Sequence, residues 1–151
     1  MSIDNLRIYK LRLYLFNIIQ KLNEEYKQIN VNFLSNEIDN YSLDKIPIED
    51  KQVEKWITGE IILRDVYSFR SRMNYSADTV DNINNIGFYE TFEKIIMKNN
   101  KERILPDIEG IKSISCLNCG SMVNADTNTA EFDIQIQIEY KENIEGDTPS
   151  I

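Results

Sequence analysis

"AEFDIQIQIEYKE", residues 130–142, is the stretch on which the fold turns. Phe132, Ile134, Ile136, Ile138 and Tyr140 alternate with Glu131, Asp133, Gln135, Gln137 and Glu139. Successive side chains of an extended strand point to opposite faces, so this period of two predicts a long strand with one apolar and one polar face. The apolar face needs a cover, and the remaining sequence is read for what supplies it.

Just upstream, "GIKSISCLN" (residues 110–118) reads as a partner strand, and "SMVNADTNT" (residues 121–129) supplies the turn residues of a closing hairpin. Before that, "SADTVDNINNIGFYETFEKIIMKNN" (residues 76–100) has helical spacing, with Ser76 or Asp78 as N-cap. Val80, Ile83 and Gly87 share one side of this helix, and Phe88, Phe92, Ile95 and Ile96 another. A helical glycine costs ~1 kcal/mol relative to alanine, so Gly87 predicts a kink or the close approach of a neighbouring backbone. Either outcome puts Phe88 and Tyr89 where the helix changes partner.

Further upstream, "WITGEIILRDVYSFRSR" (residues 56–72) carries Ile57, Ile61, Leu63, Tyr67 and Phe69 on one face and Glu60, Arg64, Ser68, Arg70 and Arg72 on the other. It predicts two strands, or one long strand bent at a kink or bulge at Gly59. "NEIDNYSLDKIPIEDKQVEK" (residues 36–55) is too long for a plain connection and predicts a short strand over Tyr41–Ile46 with a projecting loop. In "INVNFLS" (residues 29–35), Ile29, Val31 and Phe33 alternate as in a half-buried strand.

Residues 4–26 place Ile8, Leu11, Leu15, Ile18, Ile19, Leu22 and Tyr26 on one helical stripe. Leu6, Tyr9, Leu13 and Phe16 form a second apolar cluster, more than ~90° around the helix. Two accounts fit that second stripe: the helix is buried between two layers, or the stripe faces another subunit. The order helix, strands, helix, hairpin predicts an α+β domain, two helices on a mostly antiparallel sheet. A chain of 151 residues is the usual size of one domain, assigned here to residues 1–141, with 142–151 as a C-terminal tail that orders only against a partner.

Composition removes several function classes. The chain has no histidine, so the commonest general base and metal ligand is missing. The carboxylates of "IPIED" (residues 46–50) and "KENIEGD" (residues 141–147) lie in polar stretches that read as solvated surface. There is no glycine-rich phosphate loop and no G-x-S-x-G elbow, so the reading is a non-enzyme without a cofactor. With 25 acidic against 17 basic residues, a net charge of -8 opposes tight binding to nucleic-acid phosphates. Arg7, Lys10 and Arg12 before "LYLFNII" imitate a secretory leader, but Asn17 interrupts the apolar run and no small-residue cleavage site follows. No run reaches the ~18 residues of a membrane span, so no membrane association and a cytoplasmic location are expected. Cys116 and Cys119 form a C-x-x-C, half of a zinc site or a redox pair in principle. With no other cysteine and no histidine, tetrahedral zinc would need carboxylates or a second subunit, and small residues near a strand end are the plainer reading.

The run "FRSRMNYSADTVDNINNIGFYETFEKIIMKNNKERILPDIEG" followed by "TAEFDIQIQIEY" resembles a family of phage proteins from Gram-positive hosts, the minor capsid proteins read as tail terminators. The likeness is carried by Phe69, Ser71, Arg72 and Tyr75, by Asn82, Ile83, Gly87, Phe88, Tyr89, Glu90 and Phe92, by Asn99, Leu105 and Pro106, and by Ala130 and Tyr140. "NYSLDKIP" (residues 40–47) also looks like the family, whereas "SCLNCG" departs from it. The resemblance spans residues 30–141 and implies a small α+β protein that forms a ring, commonly a hexamer, at the head-proximal end of a tail tube. It implies tail tube protein and neck or connector proteins as partners, with sheath protein added in a contractile particle. Assembly in the host bacterial cytoplasm, and a place in a virion or tail-like particle, are implied with it. Another neck component, a head-to-tail connector or stopper, is the alternative, and a Cys116/Cys119 metal or redox module a remote one.

A closed ring needs two different patches on each subunit. The expected interface residues are Leu6, Tyr9, Leu13 and Phe16 on the first helix, Tyr75, Phe88 and Tyr89 around the second, and Arg64, Arg70 and Arg72 as ion-pair partners for the next subunit. The acidic surplus suits a lumen through which DNA slides without sticking.

Overall fold

The computed structural model describes residues 6–23, 28–75, 79–126 and 128–143. Its elements run α1 (Arg7–Leu22), β1 (Gln28–Val31), β2 (Asn40–Ile46), β3 (Gln52–Lys55), β4 (Glu60–Asn74), α2 (Thr79–Lys101), β5 (Ile111–Cys116), β6 (Ser121–Ala125) and β7 (Thr129–Asn143). This is an α+β fold with a seven-stranded sheet. β4 and β7 are 15 residues each and pair antiparallel from Glu60↔Asn143 to Asn74↔Thr129. Each half of this spine takes a different neighbour. β2 pairs with the C-terminal half of β4 and β3 with its start; β6 pairs with the start of β7 and β5 with its second half. β1 lies outside β2 and is the parallel member of the sheet.

The period of two in β7 works as expected: Phe132, Ile134, Ile136, Ile138 and Tyr140 are all buried. In β4 the matching face carries Tyr67, Phe69 and Met73, and α1 covers it with Leu11, Leu15, Ile18 and Ile19, α2 with Tyr89, Phe92 and Ile96. Each such aliphatic side chain contributes roughly 1.5–3 kcal/mol by leaving water. Aromatic contacts tie the layers together: Tyr41 stacks on Phe69 and Phe69 on Phe92, each with ring centroids 5.5 Å apart, and Tyr89 stacks on Phe132 at 5.7 Å. The helices occupy one face of the sheet, and the other face carries mostly polar side chains, with Ile62 and Val66 buried among them.

Buried Asp65 anchors the start of α1. Its carboxylate accepts from Arg7 Nε at 2.6 Å, from the Tyr67 hydroxyl at 3.1 Å and from the Tyr140 hydroxyl at 3.2 Å, with Lys45 and Lys51 Nζ at 3.7 and 3.8 Å. The Arg7 guanidinium also lies 4.2 Å from the centre of the Tyr140 ring, so a charged group closes the core at this end.

Several expectations change. Residues 56–72 hold one strand, not two: Gly59 (φ 89) is the turn of a β3–β4 hairpin rather than a bulge within a strand. β3 forms inside the segment expected to be a projecting loop, and β6 inside the one expected to be a turn. Of the alternating trio in "INVNFLS", Ile29 is buried while Val31 and Phe33 are exposed, because the strand ends at Val31 and Asn32 turns the chain with φ 56. α2 passes through Gly87 as one helix, and a Cβ there would meet nothing within 4 Å, which corrects the expectation that a neighbouring backbone of the described residues approaches that glycine. Glu142 and Asn143, assigned to a tail, pair with Ile61 and Glu60. Tyr26, Ser76, Asp78 and the remainder of the tail lie outside the described residues. Among the described residues no helix is long and apolar enough to cross a membrane.

Candidate functional site

The stripe of Leu6, Tyr9, Leu13 and Phe16 divides. Leu6 and Leu13 are 38% and 41% exposed, while Tyr9 is half-buried and Phe16 packs against the core. α1 is fixed so that the stripe runs along its flank: Arg12 Nε donates to the Ile29 carbonyl at 2.7 Å, and the Tyr14 hydroxyl donates to the Ile104 carbonyl at 2.8 Å. Phe16 therefore belongs to the fold as well as to any surface.

Arg64, Arg70 and Arg72 lie on the open face of the sheet, as their alternation predicts, but the chain itself supplies their partners. Arg64 donates to the Asp50 carbonyl at 2.7 Å and to Gln137 Oε1 at 3.0 Å. Arg70 lies between Asp44 Oδ2 at 2.5 Å and Glu131 Oε1 at 3.2 Å. Arg72 Nε donates to the Ser35 carbonyl at 3.3 Å. With Ser68 on Asp133 and Gln137 on Glu139, the open face is a lattice of paired polar groups, in which Arg70 Nε sits against Asp44 as an ion pair without a directed hydrogen bond, so each of the three arginines already has partners within the chain.

Around α2, Tyr89 is 2% exposed and cannot reach a partner, which corrects its place among the expected interface residues. Its hydroxyl shares a hydrogen bond with Ser71, and burial holds its pKa far above the ordinary phenol value. Phe88 is half-buried, edge-on to the Tyr89 ring at 5.1 Å, and lines a polar cleft with Asp39 and Asn85. Tyr75 is the member of this group that reaches the surface usefully. It lines an apolar groove of about 410 Å³ between α2 and β6, with Ile86, Gly120, Met122 and Phe132. The groove depends on Gly120, where a Cβ would overlap the Tyr89 ring, so the chain leading into β6 lies directly on that aromatic.

Ile86, 57% exposed, has Ile83 one turn before it at 59%, and Met122 and Val123 are exposed on β6. At the opposite end of the spine, the β3–β4 turn carries Ile57 fully exposed, with Val53 and Trp56 beside it. Lys112 and Lys141 place their ammonium groups 5.6 and 4.9 Å from the centre of the Trp56 ring. The sequence reading missed both places. "WITG" has a Thr-Gly pair directly after two bulky apolar residues, which is a hairpin-turn signal, and "SMV" places two apolar residues in what reads as a turn.

The C-x-x-C offers little chemistry. Burial, reinforced by the negative charge of Glu93, pushes the Cys116 thiol up to about 12, so it is protonated at neutral pH and is neither a nucleophile nor a ready metal ligand. Cys119 is exposed. Among the described residues, no group of three or more acidic, histidine or cysteine side chains is arranged to hold a metal ion. No model of a known protein family matches this chain, and no curated protein does either.

Proposed function

We propose that the chain is a structural, non-enzymatic protein that assembles head-to-tail into a ring and terminates a phage-type tail tube at its head-proximal end. One observation carries the assembly step. Among the exposed apolar side chains of the described residues, two groups of different shape, at the β3–β4 turn and in the α2–β6 groove, stand at opposite ends of one 15-residue strand pair. Two unlike patches on one subunit make a heterologous contact, which closes into a ring when the rotation between copies is right. The resemblance in residues 30–141 supplies the place of that ring, with the tail tube protein on one side and neck proteins on the other. The acidic surplus fits a lumen that DNA traverses without binding.

Electron microscopy of the purified chain mixed with tail tube subunits tests this. Capped tubes of fixed length are the expected result. Tubes that keep growing in the presence of the chain, together with light scattering that finds monomers alone, would overturn it. Binding to portal assemblies with no effect on tubes would move the assignment to a connector or stopper.

A further inference from the structure

We infer that the end of α2 is an autoinhibitory guard on the sheet: Asn100 and Arg103 occupy outward hydrogen-bonding groups of β5 and so shut out a second copy of this chain, which would otherwise add its own β5 there. The inference concerns a sheet edge and stands apart from the proposed ring.

The direction of the β5 backbone comes first. β5 pairs antiparallel with β7, Ser113 opposite Glu139 and Ser115 opposite Gln137, and the Leu117 amide donates to the Gln135 carbonyl at 2.9 Å. In such a pair, residues that exchange hydrogen bonds with the partner alternate with residues whose amide and carbonyl point away. Positions 113, 115 and 117 face β7 and Ile114 faces outward, as does the Lys112 carbonyl at the bulge between Ile111 and Ser113. That outside is where α2 ends. Arg103 Nη1 donates to the Lys112 carbonyl at 2.6 Å, and Asn100 Oδ1 accepts from the Ile114 amide at 2.9 Å. A neighbouring strand would supply the same two groups, an N–H for Lys112 and a C=O for Ile114.

The backbone at Arg103 is the second observation. Its φ of 62 lies in the left-handed region where helices usually end on glycine, and the Ile104 amide closes the helix on the Asn99 carbonyl at 2.8 Å. Glycine adopts that conformation without cost, so the arginine is held there by what its side chain reaches.

The same device recurs across the sheet. β1 pairs parallel with β2, and the Asn32 amide, donating to the Leu43 carbonyl at 3.3 Å, sets the even positions toward β2. Ile29 therefore faces outward, and its carbonyl is the one that Arg12 occupies. β3 and β6 are blunted differently: they are four and five residues long, and a bulge interrupts each, at Gln52/Glu54 and Met122/Asn124. Short, bulged strands are poor templates for a further strand. β5 has six residues, runs regularly beyond its bulge and contains two isoleucines and no proline, so it is the edge that most needs cover. A second β5 fits it. Antiparallel pairing about Ile114 sets Ile114 against Ile114 and Lys112, the one charged residue of the strand, against Cys116, so no like charges meet within the pair. Like strands from two copies make a two-fold contact, which stops at a dimer.

Asn100→Ala combined with Arg103→Gly removes the guard. Both changes suit the local backbone, alanine in the last helical turn and glycine at the left-handed position, so the fold is retained. Sedimentation velocity of this variant and the native chain is compared over a concentration series in reducing buffer, and hydrogen exchange is followed by peptide in dilute and concentrated samples. The expected result is self-association at least about tenfold tighter than that of the native chain, with new protection of residues 111–116 in the concentrated sample. Arg103→Lys, which keeps a cationic donor, should behave as the native chain. A double variant that associates no more than the native chain, or associates with exchange over 111–116 unchanged, would overturn the inference, as would Arg103→Lys associating like the double variant. Lower stability in urea without association would make the two contacts a staple of the helix and equally reject the guard.

Discussion

At the scale of single residues, Asp65 is the side chain on which most depends. A carboxylate with 1% exposure is costly unless fully partnered, and this one has an arginine, two phenol hydroxyls and two lysines around it. Burial alone pushes its carboxyl up. The Arg7 hydrogen bond and charge, helped by Lys45 and Lys51, more than reverse that and hold it below the ordinary carboxylate value. A carboxylate whose folded pKa is depressed stabilises the fold at every pH above its unfolded value, about 3.9, and loses that contribution as pH falls toward the folded value. Asp65→Ala strands Arg7 and two buried hydroxyls, and should cost about 3 kcal/mol at neutral pH, read from urea denaturation midpoints. The gap between the native chain and this variant should then narrow below about pH 4. A gap constant from pH 7 to pH 3 would mean that the carboxylate is not ion-paired in the folded state.

At the scale of elements, legibility in the sequence follows how much of each element's environment is local. β7 was readable to within a residue or two because its alternation reports directly on a sheet with one covered face. α1 was readable for the same reason at helical spacing, and Leu11, Leu15, Ile18 and Ile19 are its buried residues. β3 and β6 were not, because edge strands of four and five residues with exposed side chains carry no burial pattern at all. Gly87 misled because a glycine inside a helix invites the close approach of a neighbour, and among the described residues a Cβ there would meet nothing within 4 Å. The candidate site was legible only where apolar residues recur at helical spacing. The second stripe of α1 was found, but its depth was not, since Phe16 and Leu13 look equivalent on a helical wheel. Their contacts separate them. Phe16→Asp places a charge against the core and should destabilise the monomer by roughly 2–3 kcal/mol, whereas Leu13→Asp should change stability by under about 0.5 kcal/mol. Thermal melts of the two variants check this, and an equal loss in both would show that the whole stripe is buried. Neither result depends on which surface makes the ring.

At the scale of the whole molecule, the sheet's construction sets where motion and contact are confined. Between Val66 and Arg72, β4 has β2 on one side and β7 on the other, and the helices lie on its apolar face. Those amides should open only with global unfolding, while the four-residue β3 and five-residue β6, each paired on one side, open locally at lower free energy. Hydrogen exchange of the monomer should therefore rank the centre of β4 slowest and the two ends of the spine fastest. Assembly adds to this map wherever a neighbouring copy covers the backbone. A ring closed through the two apolar ends of the spine protects residues 52–60 at one end and residues 83–86 and 121–126 at the other, and leaves the centre unchanged. New protection confined to residues 6–16 would instead assign the contact to the Leu6 and Leu13 flank of α1. Because the two outcomes fall on separate peptides of the same chain, one exchange experiment on monomer and assembly decides which apolar surface closes the ring.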